Sequence, residues 1–363
     1  MGARRVQFSG SGAFYLALRR RVHEYFDRTH QTPRDDPRLY LKSAVLLAWL
    51  GGSYAMLVFA AAAWWQAALL AVSAGLGVAG IAFNITHDAN HGAYSRSGLV
   101  NRALARLFDL LGASSYIWHW KHNIFHHTYP NIAGFDADIE QEPFSRLAPA
   151  QPRRSLHRFQ HLYIWPLYGL LAFKWHFVDD FRDLAVGRIG SQQIRRPGPR
   201  QLLWLLGSKG FFFAAAFLVP ARLHPLWAVM LLYGLTFFVA SLVLAVTFQL
   251  SHCVCEADFP TVTGGAPHLE RDWAAHQVQA TVDFARDSRL LTWYLGGLNF
   301  QIEHHLFPKI CHVHYPALAP IVEATCREFG LRYRAAPTLR AALLSHVRWL
   351  RLLGRPAGIS IGG

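Results

Sequence analysis

Charged residues are scarce in this sequence, and this scarcity excludes an ordinary soluble protein. Asp, Glu, Lys and Arg make up 16% of the 363 residues, whereas hydrophobic residues make up 52%. In soluble domains about a quarter of all residues are charged, so the composition predicts a membrane protein. Four cysteines are too few for a disulfide framework, which favours a reducing compartment. No long apolar run occurs before residue 43, so we expect no cleavable signal peptide.

The basic residues, which give a formal net charge of +14, are spread over the loops between apolar runs. They form no single stripe, so we expect no nucleic acid partner and assign them to a surface that faces the membrane. They are concentrated in residues 1–42, 87–200 and 251–363. The positive-inside rule therefore predicts that both termini and the long middle segment lie in the cytoplasm.

Four apolar runs are long enough to cross a bilayer as helices, namely residues 43–65, 66–86, 202–221 and 225–250. Short turns join the first run to the second and the third to the fourth, which predicts two helical hairpins. Lys209 interrupts the third run, and we expect it either to snorkel or to face a polar interior. The expected fold is an all-α membrane protein with four transmembrane helices and a cytoplasmic helical cap.

The chain is then a single domain of five consecutive segments. These are a cytoplasmic N-terminus, the first hairpin, a cytoplasmic segment, the second hairpin and a second cytoplasmic segment, at residues 1–42, 43–86, 87–200, 201–250 and 251–363. The GxGxxG pattern at 75–80 follows no strand and lies within an apolar run, so it predicts close helix packing. Arginines and leucines occupy different faces at 339–355, which predicts a helix that lies on the membrane or docks on the body.

Histidines are grouped near the predicted cytoplasmic ends of these runs. HDANH lies at 87–91, HNIFHH at 122–127 and QIEHH at 301–305, and His252 follows the fourth run. On an α-helix His122 and His126 share one face, with His127 about 100° further round, so imidazoles converge on one point. One metal ion with an open catalytic position uses about three protein ligands, so eight imidazoles predict two ions. The candidate ligands are His87, His91, His122, His126, His127, His252, His304 and His305.

Imidazole binds zinc, copper, iron and nickel, so the ligand type leaves the metal open. The clusters lie at the ends of membrane helices, which predicts a substrate that enters from the bilayer. A lipid chain offers only unactivated C–H bonds, and their oxidation needs the redox chemistry that iron supplies with O2. Zinc would instead imply a hydrolase, and HDANH lacks the glutamate of the HExxH motif.

Three motifs together resemble a known family. HDANH, HNIFHH followed by PNIAGFDADIE, and QIEHHLFP are similar to the three histidine boxes of the integral-membrane fatty acid desaturases. The resemblance extends from Asn84 to Val322 and implies two iron ions that use O2 to remove two hydrogens from a fatty acyl chain. It assigns the box histidines as iron ligands, and His252 is similar to the family's additional ligand beyond the fourth membrane helix.

Gln301 stands where the third box usually begins with histidine, which resembles the front-end branch that contains the linoleoyl-CoA desaturases. Front-end enzymes insert a cis double bond between an existing one and the carboxyl end. The sequence departs from many of them because it contains no HPGG haem motif of a fused cytochrome b5. The resemblance therefore implies a separate electron donor, such as ferredoxin or cytochrome b5 with a reductase. It also implies an acyl-CoA, acyl carrier protein or acyl-lipid substrate.

Further side chains are candidates for orienting the ligand imidazoles, because metal-bound histidines usually form a hydrogen bond through their second nitrogen. The candidates are Gln301, His119, Asp88, Asn123, Asp136, Asp138 and Asp283. We expect His312 and His314 to be structural or to face the electron donor. The remaining isolated histidines are predicted at the surface or the membrane interface, namely His157, His161, His176, His268 and His276.

Two other functions are compatible with the histidine pattern. A membrane hydroxylase of acyl chains, alkanes or carotenoids would use the same metal site, and its product would gain one oxygen atom. A haem-binding membrane electron carrier belongs to another class and needs histidines that face each other within the crossings. In this sequence the histidines lie at helix ends and in loops, which favours the desaturase.

Overall fold

The computed structural model describes residues 6–262 and 268–356, and this part of the chain is mostly helical. The helices are α1 (Ala13–Thr29), α2 (Pro37–Phe59), α3 (Trp64–His91), α4 (Gly98–Ala105), α5 (Leu107–Leu110), α6 (Ser115–Trp118), α7 (Gln160–Tyr168), α8 (Leu171–Lys174), α9 (Asp180–Val186), α10 (Pro199–Ala221), α11 (Leu226–His252), α12 (Trp273–Ala280), α13 (Arg289–Tyr294), α14 (Gln301–Leu306), α15 (Tyr315–Glu328) and α16 (Leu339–Gly354). Wider π turns occur at Ala82–Thr86, His119–His126, Trp175–Asp179 and Ala214–Leu218.

Short strands contribute little to the core. They are β1 (Gln7–Phe8), β2 (Arg188–Ile189), β3 (Gln192–Gln193), β4 (His268–Leu269), β5 (Asp283–Phe284) and β6 (Ala335–Ala336). They pair as β1 with β4 in parallel, β2 with β3 antiparallel, and β5 with β6 in parallel. Each pair ties together loops that are mostly distant in sequence, so packing among the helices positions the histidines.

In the part of the chain that the structure describes, four helices are long and apolar enough to cross a membrane, namely α2, α3, α10 and α11, which confirms the predicted number of runs. The predicted bounds of the first run were wrong. α2 already begins at Pro37, because the Asp36 side chain accepts a hydrogen bond from the backbone N–H of Arg38. It ends at Phe59, so the tryptophan pair at 64–65 belongs to α3.

α3 and α11 are longer than a bilayer requires. They have 28 and 27 residues. At 1.5 Å per residue this gives about 40 Å, against a hydrocarbon core of about 30 Å. Their last turns can therefore extend beyond the apolar region, and these turns carry His87, His91 and His252.

Glycines allow α3 to approach both α2 and α11 closely. A side chain on Gly77 would meet Leu50 of α2, and one on Gly75 would clash with the carbonyl oxygen of Thr236 on α11. The GxGxxG pattern therefore packs helices, as predicted.

The N-terminal segment contributes a helix that buries one face. Phe14, Leu18, Val22 and Phe26 repeat every four residues on α1 and share a core with α14 and α15. At the surface Arg21 pairs with Glu328 of α15, at 2.6 Å. α1 thus supports the helices that carry and follow the third histidine box.

Lys209 faces a polar interior within α10. Its Nζ donates to the Asp180 carboxylate at 2.7 Å and to the carbonyl oxygens of Gly112 and Trp175. Both members of the ion pair are buried, so each depends on the other to remain charged away from water. The pair therefore attaches α10 to α9.

Three histidines that were predicted at the surface are buried instead, namely His157, His176 and His276. Nδ1 of His176 lies 2.8 Å from the hydroxyl oxygen of Tyr233, and Nε2 of His157 donates to the carbonyl oxygen of Pro143 at 2.9 Å. Such partners come from distant parts of the chain, so the local sequence did not reveal them. His268 is exposed and His161 partly exposed, as predicted.

The C-terminal helix α16 docks on the body of the protein. Its buried residues include Trp349 and Leu350, which share a core with α7 and α11. Nδ1 of His346 donates to the carbonyl oxygen of Cys253 at 2.6 Å, and its Nε2 accepts a hydrogen bond from Tyr168 at 2.9 Å. Of the two predictions for this helix, docking on the body is therefore confirmed.

We expect His346 to make the fold sensitive to acid. Burial lowers the pKa of His346 to about 4, whereas an ordinary histidine has a pKa of about 6.5. Between these values the unfolded chain binds a proton that the folded chain does not, so stability is lost as the pH falls. In this range, each unit by which the pH falls should lower the folding equilibrium constant by up to about tenfold, because the unfolded chain gains a proton on His346. Thermal unfolding of the detergent-solubilised protein between pH 4 and 7 measures the effect, which His346→Gln should reduce. An identical pH dependence in both proteins would contradict it.

Candidate metal centre

α3 and α14 bring the first and third histidine clusters face to face. His87 and His91 occupy the last turn of α3, and their ring centroids lie 4.8 Å apart. His304 approaches both rings, at centroid distances of 4.5 Å and 5.0 Å. His252 at the end of α11 lies 5.0 Å from His305. Residues that are far apart in sequence therefore meet at one place.

The second cluster lies on the π-helix His119–His126 rather than on the predicted α-helix. The backbone N–H of His127 donates to the carbonyl oxygen of His122 at 3.0 Å, a bond that spans five residues. In a π turn, residues five apart come to share one face. Nε2 of His127 consequently lies 3.3 Å from Nε2 of His122, and the rings of His122 and His126 are stacked at 5.2 Å. One face presents all three imidazoles.

All eight candidate ligands are buried and form one cluster. Each histidine offers one ring nitrogen as a ligand atom. These nitrogens form groups, and in each group no two ligand atoms are more than 4.8 Å apart. Three groups consist of histidines alone: His87, His91, His122 and His304; His126, His252 and His305; and His127, His304 and His305. A fourth group contains His122, His126 and Asp138. The first two groups share no residue and each supplies at least three imidazoles, so the donors suffice for two metal ions.

A hydrogen-bond partner occupies Nδ1 in three of the ligands. Nδ1 of His126 donates to the Asp136 carboxylate (3.0 Å) and Nδ1 of His305 donates to Oε1 of Gln277 (2.8 Å), whereas Nδ1 of His304 lies 3.3 Å from the hydroxyl oxygen of Tyr315. Within the described residues, Nε2 of each of these three histidines is buried without a hydrogen-bond partner. Buried polar atoms are normally paired, so unpaired imidazole nitrogens that face one another fit metal ions.

Burial keeps most of these imidazoles neutral, as metal binding requires. It lowers the pKa of His122 to about 3 and holds the pKa values of His304 and His305 well below the ordinary value. Burial also acts to lower the pKa of His126. There, however, nearby carboxylates, chiefly Asp136, outweigh burial and raise the pKa.

Two carboxylates adjoin the second cluster, and Asp136 makes the closer contact. It is fully buried and also accepts a hydrogen bond from the backbone N–H of Asn131 at 2.9 Å. Asp138 stays 3.7 Å from Nδ1 of His126, because its other oxygen pairs with Lys121 at 2.9 Å. Asp136 therefore orients the imidazole, whereas Asp138 contributes mainly negative charge.

Asp88 connects the first cluster to His312 and, through His312, to Lys42. One oxygen accepts a hydrogen bond from Nδ1 of His312 at 2.8 Å, and the other lies 3.8 Å from Nδ1 of His87. Nε2 of His312 in turn accepts a hydrogen bond from Lys42 at 3.0 Å. His312 is thus a buried structural residue.

Three of the other candidates for orienting the ligands, namely His119, Asn123 and Asp283, have their hydrogen-bond partners elsewhere. Asn123 donates to the carbonyl oxygen of Asn90 at 2.8 Å and lies 3.2 Å from Nδ1 of His119. Asp283 accepts a hydrogen bond from the backbone N–H of Ile302 at 3.0 Å. Within the described residues, none of the three hydrogen-bonds to one of the eight candidate ligands. Asp283 instead fixes the backbone of α14.

Comparison with known proteins decides the family. The family model for fatty acid desaturases matches residues 62–337. The chain belongs to the fatty acid desaturase family. This desaturase is 37% identical over 349 residues to an sn-1 linoleoyl-lipid 6-desaturase of Arthrospira platensis, covering 96% of this chain and 94% of that protein. It is 36% identical over 354 residues to the sn-1 linoleoyl-lipid 6-desaturase of Synechocystis sp., covering 97% and 99%.

A third relative is an acyl-lipid (8-3)-desaturase of Physcomitrium patens. It is 36% identical over 345 residues, which cover 94% of this chain and 72% of that protein. The predicted family and enzyme class are therefore confirmed: the chain is an oxidoreductase that acts on fatty acyl chains.

The sequence did not reveal every residue that supports the desaturase's histidines. Gln277 and Tyr315 orient His305 and His304, and the ring of Trp118 stacks on that of His122 at 4.2 Å. Gln277 lies on α12, outside any motif. Trp118 precedes His122 by four residues on one helical stretch, and this spacing is the one local signal.

Gln301 contacts an imidazole of the cluster, because its side-chain amide donates to Nε2 of His252 at 3.1 Å. We expect the Gln301→His desaturase to retain its full metal content, since an imidazole is added there and no ligand is removed. Metal analysis of the purified protein measures this. Gln193→His, which changes an exposed residue of β3, is the matched control. Loss of metal from Gln301→His alone would show that the amide itself is required.

Proposed function

We propose that this desaturase inserts a cis double bond at position 6 of a linoleoyl chain that is esterified to a membrane lipid. The relatives from Arthrospira platensis and Synechocystis sp., which it matches over nearly their full lengths, are named sn-1 linoleoyl-lipid 6-desaturases. The glutamine at position 301, which resembles the front-end pattern, supports the same assignment. Among the candidate carriers we therefore favour an acyl-lipid over acyl-CoA or acyl carrier protein.

The proposal depends on one observation, the buried cluster of imidazole nitrogens that lack partners among the described residues. We assign the cluster to two iron ions, one held by His87, His91, His122 and His304 and the other by His126, His252 and His305, with His127 beside both. Iron bound there would supply, with O2, the redox chemistry that unactivated C–H bonds require.

The chain's own residues orient the ligands and exclude water. Asp136 and Gln277 fix the tautomers of His126 and His305 so that Nε2 remains available, and Tyr315 holds the ring of His304 through Nδ1. Trp118 stacks on His122, and Phe248 lies 5.9 Å from the same ring. This apolar cover favours an oxidising site that is closed to water.

We infer that the four apolar helices form two hairpins and that the histidines lie in a cytoplasmic cap. The short connections between α2 and α3 and between α10 and α11 lie at the ends opposite to the histidines. Arg222 is the one basic residue in these connections, whereas the segments around the histidines are rich in lysine and arginine. We propose that electrons come from a separate donor such as ferredoxin or cytochrome b5 with a reductase.

Lipid analysis of a host that makes linoleoyl lipids tests the proposal. The host expresses this chain together with ferredoxin and its reductase, and its extracted lipids are analysed by mass spectrometry. We expect linoleoyl lipids to lose two hydrogens, with the new double bond at position 6. An added oxygen atom would indicate a hydroxylase. A Soret band, or zinc without iron in the purified protein, would contradict the di-iron assignment.

A further inference from the structure

A polar pocket of about 240 Å³ lies at the N-terminal end of α10, and its lining includes none of the candidate metal ligands. Its lining includes Arg106, Ser115, Arg200, Gln201 and Trp204. The guanidinium of Arg106 lies over the ring of Trp204 at 4.6 Å. Within the described residues neither arginine forms an ion pair or a side-chain hydrogen bond. The pocket therefore presents two guanidinium groups, neither of which has a carboxylate within ion-pair distance among the described residues.

One acidic residue, Asp109, also lines this pocket, but its carboxylate already has partners. It accepts hydrogen bonds from the backbone N–H and the hydroxyl of Ser115, both at 2.8 Å, and from the indole N–H of Trp204 at 3.0 Å. Asp109 is buried, whereas both arginines are exposed. The accessible part of the pocket therefore favours an anion with several oxygen atoms.

An apolar cavity of about 410 Å³ lies between α2, α3, α10 and α11. Most of its lining is aliphatic or aromatic and includes Leu47, Val78, Leu111, Phe212 and Phe237. Such a cavity within a set of membrane helices suits a hydrocarbon chain and offers little to a polar ligand.

The pocket and the cavity are neighbours. Asp109 lines the pocket, and the next two residues, Leu110 and Leu111, line the cavity. On α10, Leu205 lines the pocket and Phe212 lines the cavity. Residues seven apart lie on the same helical face, about 10 Å along the axis. The two sites therefore lie within the length of one lipid molecule.

The length of α10 places the pocket at the depth of lipid headgroups. Its 23 residues extend about 34 Å, slightly more than the hydrocarbon core of about 30 Å. Arg200, near its first residue, then lies at headgroup level, and Trp204 lies where aromatic residues border the bilayer. Basic pockets between membrane helices are typical sites for anionic headgroups.

We propose that the pocket and the cavity together bind one anionic glycerolipid. Its phosphate contacts Arg106 and Arg200, and one of its acyl chains fills the cavity. The proposal does not depend on the iron assignment or on the position of the new double bond. A free phosphate would use the pocket alone, and an acidic protein could not enter the cavity.

Binding of phosphatidylglycerol to the purified full-length protein in mild detergent, followed by native mass spectrometry, tests the headgroup part. We expect Arg106→Gln/Arg200→Gln to weaken binding by roughly tenfold or more for each guanidinium removed. Arg195→Gln/Arg196→Gln removes the same charge from residues that do not line the pocket, so binding should stay at the wild-type level. Phosphatidylcholine should bind the wild type more weakly. Equal binding by both double variants would overturn the proposal, and so would equal binding of both lipids.

The acyl part is tested at two adjacent glycines of α2. Gly51 lines the cavity and Gly52 does not. Among the described residues, an added Cβ at either glycine would have no atom within 4 Å beyond the neighbouring residues and backbone of its own helix. Gly51→Phe should fill the cavity and weaken phosphatidylglycerol binding, whereas Gly52→Phe should not. Displacement of the lipid by an equal concentration of glycerol 3-phosphate would show a phosphate site only. Either that result or unchanged binding by Gly51→Phe would overturn the lipid assignment.

Discussion

Replacing His304 by alanine should remove both iron and turnover. His304 is a proposed ligand of the first iron ion, and it also forms a group with His127 and with His305, a proposed ligand of the second ion. Loss of a residue that only orients a ligand typically costs roughly 10- to 100-fold in metal affinity, and loss of the ligand itself should cost more. Iron per chain, measured by elemental analysis, and product formation in expressing cells report the two effects.

The matched control for this variant is His23→Ala, which removes an exposed imidazole of α1. The control should keep its iron and its activity. His126→Ala should behave like His304→Ala, because Nε2 of His126 also faces the cluster without a partner among the described residues. Full iron content and full turnover in the His304 or the His126 variant would refute the ligand assignment.

Replacing Asp136 by asparagine should weaken metal binding without removing a ligand. The carboxylate accepts a hydrogen bond from Nδ1 of His126 at 3.0 Å, which fixes the tautomer and makes Nε2 a stronger donor to metal. Asparagine keeps the shape but loses the charge, so we expect a loss of roughly 10- to 100-fold in iron affinity. Competition with a chelator of known affinity measures the change.

Asp287→Asn provides the matched control, because Asp287 is exposed and, within the described residues, forms no hydrogen bond to a candidate ligand. The control should retain the wild-type affinity for iron. Thermal unfolding of the two metal-free proteins separates an effect on metal from one on folding. If Asp136→Asn bound iron as tightly as the control, the hydrogen bond to His126 would have no role in the site.

The main elements of the fold were predictable because they depend on local patterns. A run of about twenty apolar residues can satisfy its backbone in a bilayer only as a helix, so four such runs predicted four membrane helices. The bounds were less predictable, because the start of α2 depends on a capping side chain at Asp36. The buried faces of α1 and α16 depend on partners from distant parts of the chain.

The candidate ligands were predictable, but their supporting residues were mostly not. A histidine motif is short and local, and three motifs in order indicated the family. Gln277 and Tyr315 carry no such pattern, because only the folded chain brings them to Nδ1 of His305 and His304. The π-helix was also missed, since α and π turns differ in hydrogen bonding rather than in residue type.

The sequence by itself determined that this chain is a helical membrane protein with the histidines of a fatty acid desaturase. The length of an apolar run and the spacing of histidines are properties of neighbouring residues, so both can be recognised without knowledge of the fold. Only the tertiary structure decided which ring nitrogens face one another, and that Arg106 and Arg200 share a pocket beside an apolar cavity. The physical reason is that these arrangements depend on distances between residues far apart in the chain, which packing sets and composition does not.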